Sequence, residues 1–311
     1  MIKNLFQLGE PVEHRGIVVA PVFPLRDPVA AYITLDEALA GGLRVREVDE
    51  SGSVPELVVE NPLDSRVLLY DGEELVGAKQ NRILNVSVLV EAKTTLRIPV
   101  SCVEQGRWSR RSAFFSAGGH VSHARLRRRK AEAQAAQPLA RGVAQGEVWD
   151  AVHEKATRMS VHSPTGASAD IYHAYERDLR ALESAFSVLP GQCGAILGIG
   201  SDLCLDVVSR PDGFARLWPK LRAGYLLDAL ESLDGTPTGV REIESFIADV
   251  DHSLVSRQPS VGLGEDLRCR SDRVIGSGLV RGGETIQLSA FRSESGGRQA
   301  FGRIARPSSR R

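Results

Sequence analysis

Leu84, Val86, Val88 and Val90 recur at every second position, and so do Leu96, Ile98, Val100 and Cys102. Side chains repeat with a period of two only on extended backbone, so both runs predict strands with one buried face. Glu91–Thr95 between them is short enough for a hairpin. A slip of one residue would turn one apolar set to solvent, so the pairing must keep parity. The register that follows sets Val90 against Leu96, Val86 against Val100 and Arg82 against Glu104. Arg82 and Glu104 then meet at the open end, on the face that carries the core, with Gln80 and Gly106 extending the same rows. A guanidinium and a carboxylate at the rim of an apolar face make either a pocket wall or a structural ion pair closing a sheet edge.

The remaining chain reads as short strands first and helices later. Gly16–Phe23 is continuously apolar and predicts a buried strand. Thr34 and Glu37 have capping-box spacing before a helix that Gly41-Gly42 would stop. Leu43–Val48, Leu57–Glu60, Arg66–Tyr70 and Glu73–Gly77 are further strands. Ser109–Ser168 has poor apolar periodicity, and its Ala124–Gln137 part predicts a solvated helix. Ile171, Tyr175, Leu179, Leu182, Phe186 and Leu189 have the spacing of one amphipathic helix. A hairpin around Gly200-Ser201-Asp202 follows, then a helix from Ser209 to Leu230 that Pro219 must kink or restart. Val240–Val250 predicts a third helix, and Leu267–Ile275 and Leu279–Phe291 late strands. Strands and helices come in runs, which predicts an α+β architecture. An N-terminal β-rich part of short, mostly antiparallel strands is followed by helices and further β-hairpins. The expected divisions are a β-rich part at 1–108, a flexible basic insertion at 109–168, an α+β part at 169–292 packing on the first, and a disordered tail at 293–311.

With 311 residues, 42 % of them hydrophobic, the chain can bury a full core in one large domain or two smaller ones. A net charge of zero gives the whole molecule no bias toward nucleic acid or membrane. The charge is unevenly spread: Glu47–Glu74 carries nine acids against Arg66 alone, and Gln105–Lys130 carries eight bases and no acid. No apolar run approaches the roughly 20 residues of a membrane helix. The start, MIKNLFQLGEP, is not a secretory signal. Four cysteines without such a signal point to a reduced, cytoplasmic protein.

Candidate chemistry concentrates in Asp71–Trp108. Gln80, Asn81 and Arg82 are costly beside core strands unless something pairs with them. Arg82 and Arg107 have the fork that grips phosphate or carboxylate, and Trp108 offers a face for a base or ring. Glu73 and Glu74 are adjacent, so in a strand they point to opposite faces, and one of them can serve a site as general base or ribose ligand. Cys102 shares the parity of Leu96, Ile98 and Val100 and reads as a buried, inert thiol rather than a nucleophile beside Glu104. His120 and His123 lack the partner spacing of a metal site, so no metal or cofactor is expected. Gly194–Gly200 follows a helix, which fails the context of a dinucleotide-binding loop. The run Arg125–Lys130 has no interleaved aromatics and reads as a solvated helix face, with nucleic acid the less favoured alternative.

The blocks GEELVGAKQNR, NVSVLV and IPVSCVEQGRW resemble a mainly prokaryotic family associated with ADP-ribosylglycohydrolases and rhodanese-phosphatases. The positions that carry the resemblance are Gly72, Glu73, Gly77, Gln80, Asn81, Arg82, Cys102, Glu104, Arg107 and Trp108, within a likeness running from about Gly16 to Val250. It implies a cytoplasmic domain working near NAD or ADP-ribose metabolism. Together with the residues it yields a first expectation: an ADP-ribose- or nucleotide-like ligand, with Arg82 and Arg107 on phosphates, Trp108 stacking, Gln80, Asn81 and Glu73 on ribose hydroxyls, and Glu104 orienting Arg82 or acting as a hydrolase base. Whether the chain is an enzyme stays open. The alternatives are a non-enzymatic interaction module held together by the same cluster, and an RNA-associated protein using the basic insertion.

Overall fold

The apolar run found near the N-terminus becomes the strand Ile17–Pro24, and its first six residues are buried. Ile17 and Val19 enter one core while Val18, Ala20 and Val22 enter another, so the strand is apolar throughout because both its faces are covered. It lies inside a nine-stranded sheet. In spatial order the strands are Phe6–Leu8, Ile17–Pro24, Gly194–Ile199, Asp202–Val208, Glu284–Arg292, Val274–Arg281, Glu265–Arg270 and Leu254–Pro259, with Val12–His14 also on Ile17–Pro24. All neighbours are antiparallel. The computed structural model describes residues 5–50, 52–136 and 142–293. The expected tail therefore lies, apart from Ser293, outside the described residues.

Helix Val240–Asp251 covers one face of this sheet with Ile243, Phe246, Ile247 and Val250. The other face meets a helical layer dominated by Pro211–Ala229, whose Phe214, Leu217, Trp218, Leu221 and Tyr225 join the largest core. That helix runs through Pro219 without a break in its span. The expected single helix from Ile171 to Leu189 is instead two, Ser168–Ala174 and Glu176–Glu183, parted at Tyr175, whose hydroxyl donates to the carbonyl of Met159 at 2.7 Å.

A second β unit carries the predicted site. Its six strands are ordered Phe115–Val121, Glu73–Gly77, Arg82–Leu84, Thr94–Cys102, Glu56–Asn61 and Arg44–Glu47. A three-stranded sheet of Val88–Val90, Val67–Leu69 and Ile33–Thr34 adjoins it, and the two enclose a shared apolar core. The two apolar runs do share a buried face, but they do not form the expected hairpin. Val88–Val90 pairs with Val67–Leu69, and Thr94–Pro99 pairs with Glu56–Asn61. Only Val100–Cys102 meets the first run, with Val100 opposite Leu84 and Cys102 opposite Arg82. Parity holds, but the register lies two residues from the expected one. The partner changes at Pro99, which has no N–H to give a ladder.

The expectation that the basic helix is solvated is corrected. Residues 109–168 contribute the strand Phe115–Val121 and the helices Ala124–Ala136 and Gln145–Arg158. Within the basic run only Arg129 is exposed, and it pairs with Glu154 at 2.6 Å. Arg127 forks onto Asp206 with both distances 2.7 Å, and Lys130 donates to Asp71 and to the carbonyl of Leu84, each at 2.6 Å. Arg125 and Arg128 reach Asp202. These cations face acids across the fold, so most of their charge is directed inward.

Candidate functional site

The chain between Gly77 and Arg82 makes the site, because it leaves one strand and enters the next through a left-handed Ala78. Gln80, Asn81 and Arg82 are thereby turned into the protein, where all three are buried. Opposite them runs Cys102–Trp108, steadied by the segment Ser163–Ser168. Ser168 N–H donates to the Val103 carbonyl at 2.9 Å and Gly106 N–H to the Thr165 carbonyl at 2.7 Å. At Gly106 an added Cβ would lie 3.0–3.2 Å from the Thr165 backbone, so a larger residue would push the two segments apart.

Arg82 and Glu104 are not the pair expected from the register. Glu104 is ion-paired with Arg107 at 2.6 Å. Its other acceptor sites take the Asn81 N–H at 3.1 Å and the Thr165 hydroxyl at 3.1 Å. Burial works against ionisation of Glu104, but these donors outweigh it and hold its pKa below the usual carboxylate range. Arg107 is fixed further by the carbonyls of Ala78 and Ser109 and by the Asn81 side chain, each 3.0 Å away.

Arg82 has fewer partners. Its Nη1 donates to Gln80 Oε1 at 2.8 Å, and Nη2 stands 4.0 Å from Glu47 Oε1. Its side chain is 0 % exposed, yet Nε and Nη2 have no hydrogen-bond acceptor among the described residues. Trp108 lies over it, ring centre 5.7 Å from the guanidinium carbon, and is itself 49 % exposed. The Lys79 ammonium is 5.3 Å from the same ring. Gln80 also donates to the Glu104 carbonyl at 2.9 Å, so Arg82 and Glu104 belong to one hydrogen-bonded cluster through this amide. The Cys102 thiol donates to Gln80 Oε1 at 3.0 Å; it is buried, and burial raises its pKa.

Glu73 is not part of the cluster. It accepts the Tyr70 N–H at 2.9 Å and the Lys220 ammonium at 3.1 Å, on the side of helix Pro211–Ala229. Burial raises its pKa while Lys220 opposes the shift. Glu74 takes the position that faces the site. Its Oε1 accepts from Asn81 at 3.3 Å, and its Oε2 is 3.4 Å from His120 Nε2. Burial pushes Glu74 up to about 8, with the charges of Glu104 and Asp170 adding to it and Asn81 pulling back. Burial lowers His120 to about 3, and its ring stacks on Tyr172 at 3.5 Å. His123 turns elsewhere, to Asp228 at 2.9 Å. Sequence reasoning saw the Glu73/Glu74 alternation but could not say which face carried the site. It set His120 aside with a stretch it took for an insertion.

Gln80, Asn81, Arg82, Glu104, Arg107 and Trp108 are thus brought together, joined by Glu47, Lys79, Glu74 and His120. Among the described residues no helix is long and apolar enough to cross a membrane. No curated protein and no solved structure matches the chain. A family model does match, over residues 6–291, and the chain belongs to the family described as ARG and Rhodanese-Phosphatase-superfamily-associated Protein domain.

Proposed function

We propose that the cluster binds an ADP-ribose- or nucleotide-like ligand. The observation that carries this reading is Arg82: a fully buried guanidinium with two donor atoms that find no acceptor among the described residues, beneath a half-exposed tryptophan. A buried cation in that condition costs free energy in the empty protein. A phosphate or carboxylate would supply the acceptors, and Arg geometry suits a bidentate grip. Trp108 is half-exposed, and its face suits an adenine ring. Lys79 beside it adds positive charge. Arg107, already held by Glu104 and Asn81, acts in this reading as part of the wall rather than as a second phosphate grip. The family's association with ADP-ribosylglycohydrolases agrees with the ligand class.

Titration calorimetry with ADP-ribose, NAD and their phosphorylated forms tests the proposal. Heat of binding is expected from at least one, abolished by Arg82→Met. The same variant separates ligand binding from a purely structural cluster. If Arg82 is kept for a ligand, ADP-ribose raises the melting temperature of the wild type and leaves that of the variant unchanged. If the cluster only holds the fold together, the variant melts lower and no nucleotide shifts the melting of the wild type.

A further inference from the structure

Two carboxyl groups in the cluster share one asparagine but differ in their other neighbours. Asn81 gives its main-chain N–H to Glu104 at 3.1 Å and its side-chain amide to Glu74 at 3.3 Å. Both carboxyls are 2 % exposed. Glu104 also receives Arg107 and Thr165 and is held ionised. Among the described residues no cation stands beside Glu74; it faces His120, kept neutral by burial, and the charges of Glu104 and Asp170. Paired carboxyls whose surroundings drive them apart in this way divide the roles of acid and anion between them.

The cover over Glu74 is also unusual. The edge strand Phe115–Val121 pairs regularly up to Ala117 opposite Leu75, and pairs again at Val121 opposite Glu73. Three residues, Gly118, Gly119 and His120, therefore oppose Glu74 alone. A Cβ at Gly118 would fall 2.7 Å from Glu74 Oε2, whereas one at Gly119 would meet nothing within 4 Å. Gly119 is exposed. A glycine bulge thus lies directly over this carboxyl, with its middle residue exposed.

We propose that Glu74 is the proton donor of the site, with Glu104 as its ionised counterpart, and that the bond cleaved is a glycosidic bond to ribose. The inference rests on the ligand reading above, in which Arg82 holds the phosphate of the same molecule. The bond from ribose C1 to its leaving atom breaks with the electron pair going to the leaving atom, which takes the Glu74 proton. The Glu104 carboxylate stabilises the positive charge that develops at C1. Water then adds to C1 and returns a proton to Glu74, so water is the sole co-reactant.

The test uses the full chain with two probes whose leaving atom must be protonated, a peptide ADP-ribosylated on serine and one ADP-ribosylated on arginine, and measures release of ADP-ribose. Turnover of at least one is expected. Its rate should fall as pH rises through about 8, where Glu74 loses its proton. Glu74→Gln should lower kcat by about 10²–10⁴-fold while calorimetric affinity for ADP-ribose is retained. The wild-type pH profile decides the matter even if that variant does not fold. Binding without turnover of any probe overturns this inference and leaves the ligand reading standing. Absence of both binding and turnover overturns both. Turnover that survives Glu74→Gln, with the fall near pH 8 unchanged, overturns Glu74 as the donor.

Discussion

Asp206 shows what individual side chains contribute here. Its carboxylate accepts Arg127 twice, Tyr70 at 2.6 Å, Ser289 at 2.5 Å, and Tyr225. Burial opposes its ionisation, but Arg127 and the hydroxyls outweigh it and lower its pKa. A folded-state pKa below the unfolded one stabilises at pH values above the ordinary carboxylate range, and that contribution is lost as pH falls through the folded value. Arg127→Met leaves a buried anion unpaired and should cost about 3–5 kcal/mol in urea unfolding at pH 7. Glu74 has the opposite sign. Its folded pKa, about 8, lies above its ordinary value, so the native state holds a proton that the unfolded state has released. Stability then falls by roughly 1.4 kcal/mol per pH unit between the ordinary carboxylate value and about 8. Glu74→Gln should remove this slope, so its stability relative to wild type should rise steadily across that window; a constant difference would show that Glu74 is not protonated in the fold. Sequence alone showed that Glu73 and Glu74 diverge. It could not show which of them meets Lys220, because that depends on a helix almost 150 positions away, at 147 residues' separation.

Among the elements, those with apolar periodicity were legible. The helix after Thr34, the hairpin around Gly200 and the helix Val240–Asp251 all stand close to where their spacing places them. Pairing was less legible. Parity fixes which face of a strand is buried but not which neighbour it joins, and the change of partner at Pro99 moved the register by two while preserving every buried side chain. Helix Ala124–Ala136 was legible as a helix and misread as solvated, since its buried face is made of Arg127, Lys130 and Gln134 as well as Leu126. Periodicity counts only apolar residues and cannot see a face built from ion pairs. Helix Pro211–Ala229 holds a further test. Gly224 lies against the carbonyls of Val121 and Ser122, where no Cβ fits. Gly→Ala inside a helix ordinarily stabilises by about 1 kcal/mol; Gly224→Ala should instead lower the melting temperature, by pushing this helix off the strand that covers Glu74.

At the scale of the molecule, the α+β class was legible from the order of strand and helix runs. The way the two β units are fastened was not. Lys130 with Asp71, Tyr70 and Arg127 with Asp206, and Lys220 with Glu73 join them through buried polar contacts. Such contacts tie the unfolding of one unit to that of the other. Urea unfolding should therefore be one transition, with tryptophan fluorescence and far-ultraviolet circular dichroism superimposing; two separated transitions would show units that fold independently.

The internal cations also have a consequence for how the chain is made. Arg127 finds its acid 79 residues further along, and Lys155 finds Glu231 76 residues further. At a synthesis rate of about 5–20 residues per second, the wait is about 4–16 s. Through that interval the emerging polypeptide trails a polycationic stretch beside the polyanionic ribosome, and it can tuck that stretch away only after the strand bearing Asp206 has left the exit tunnel.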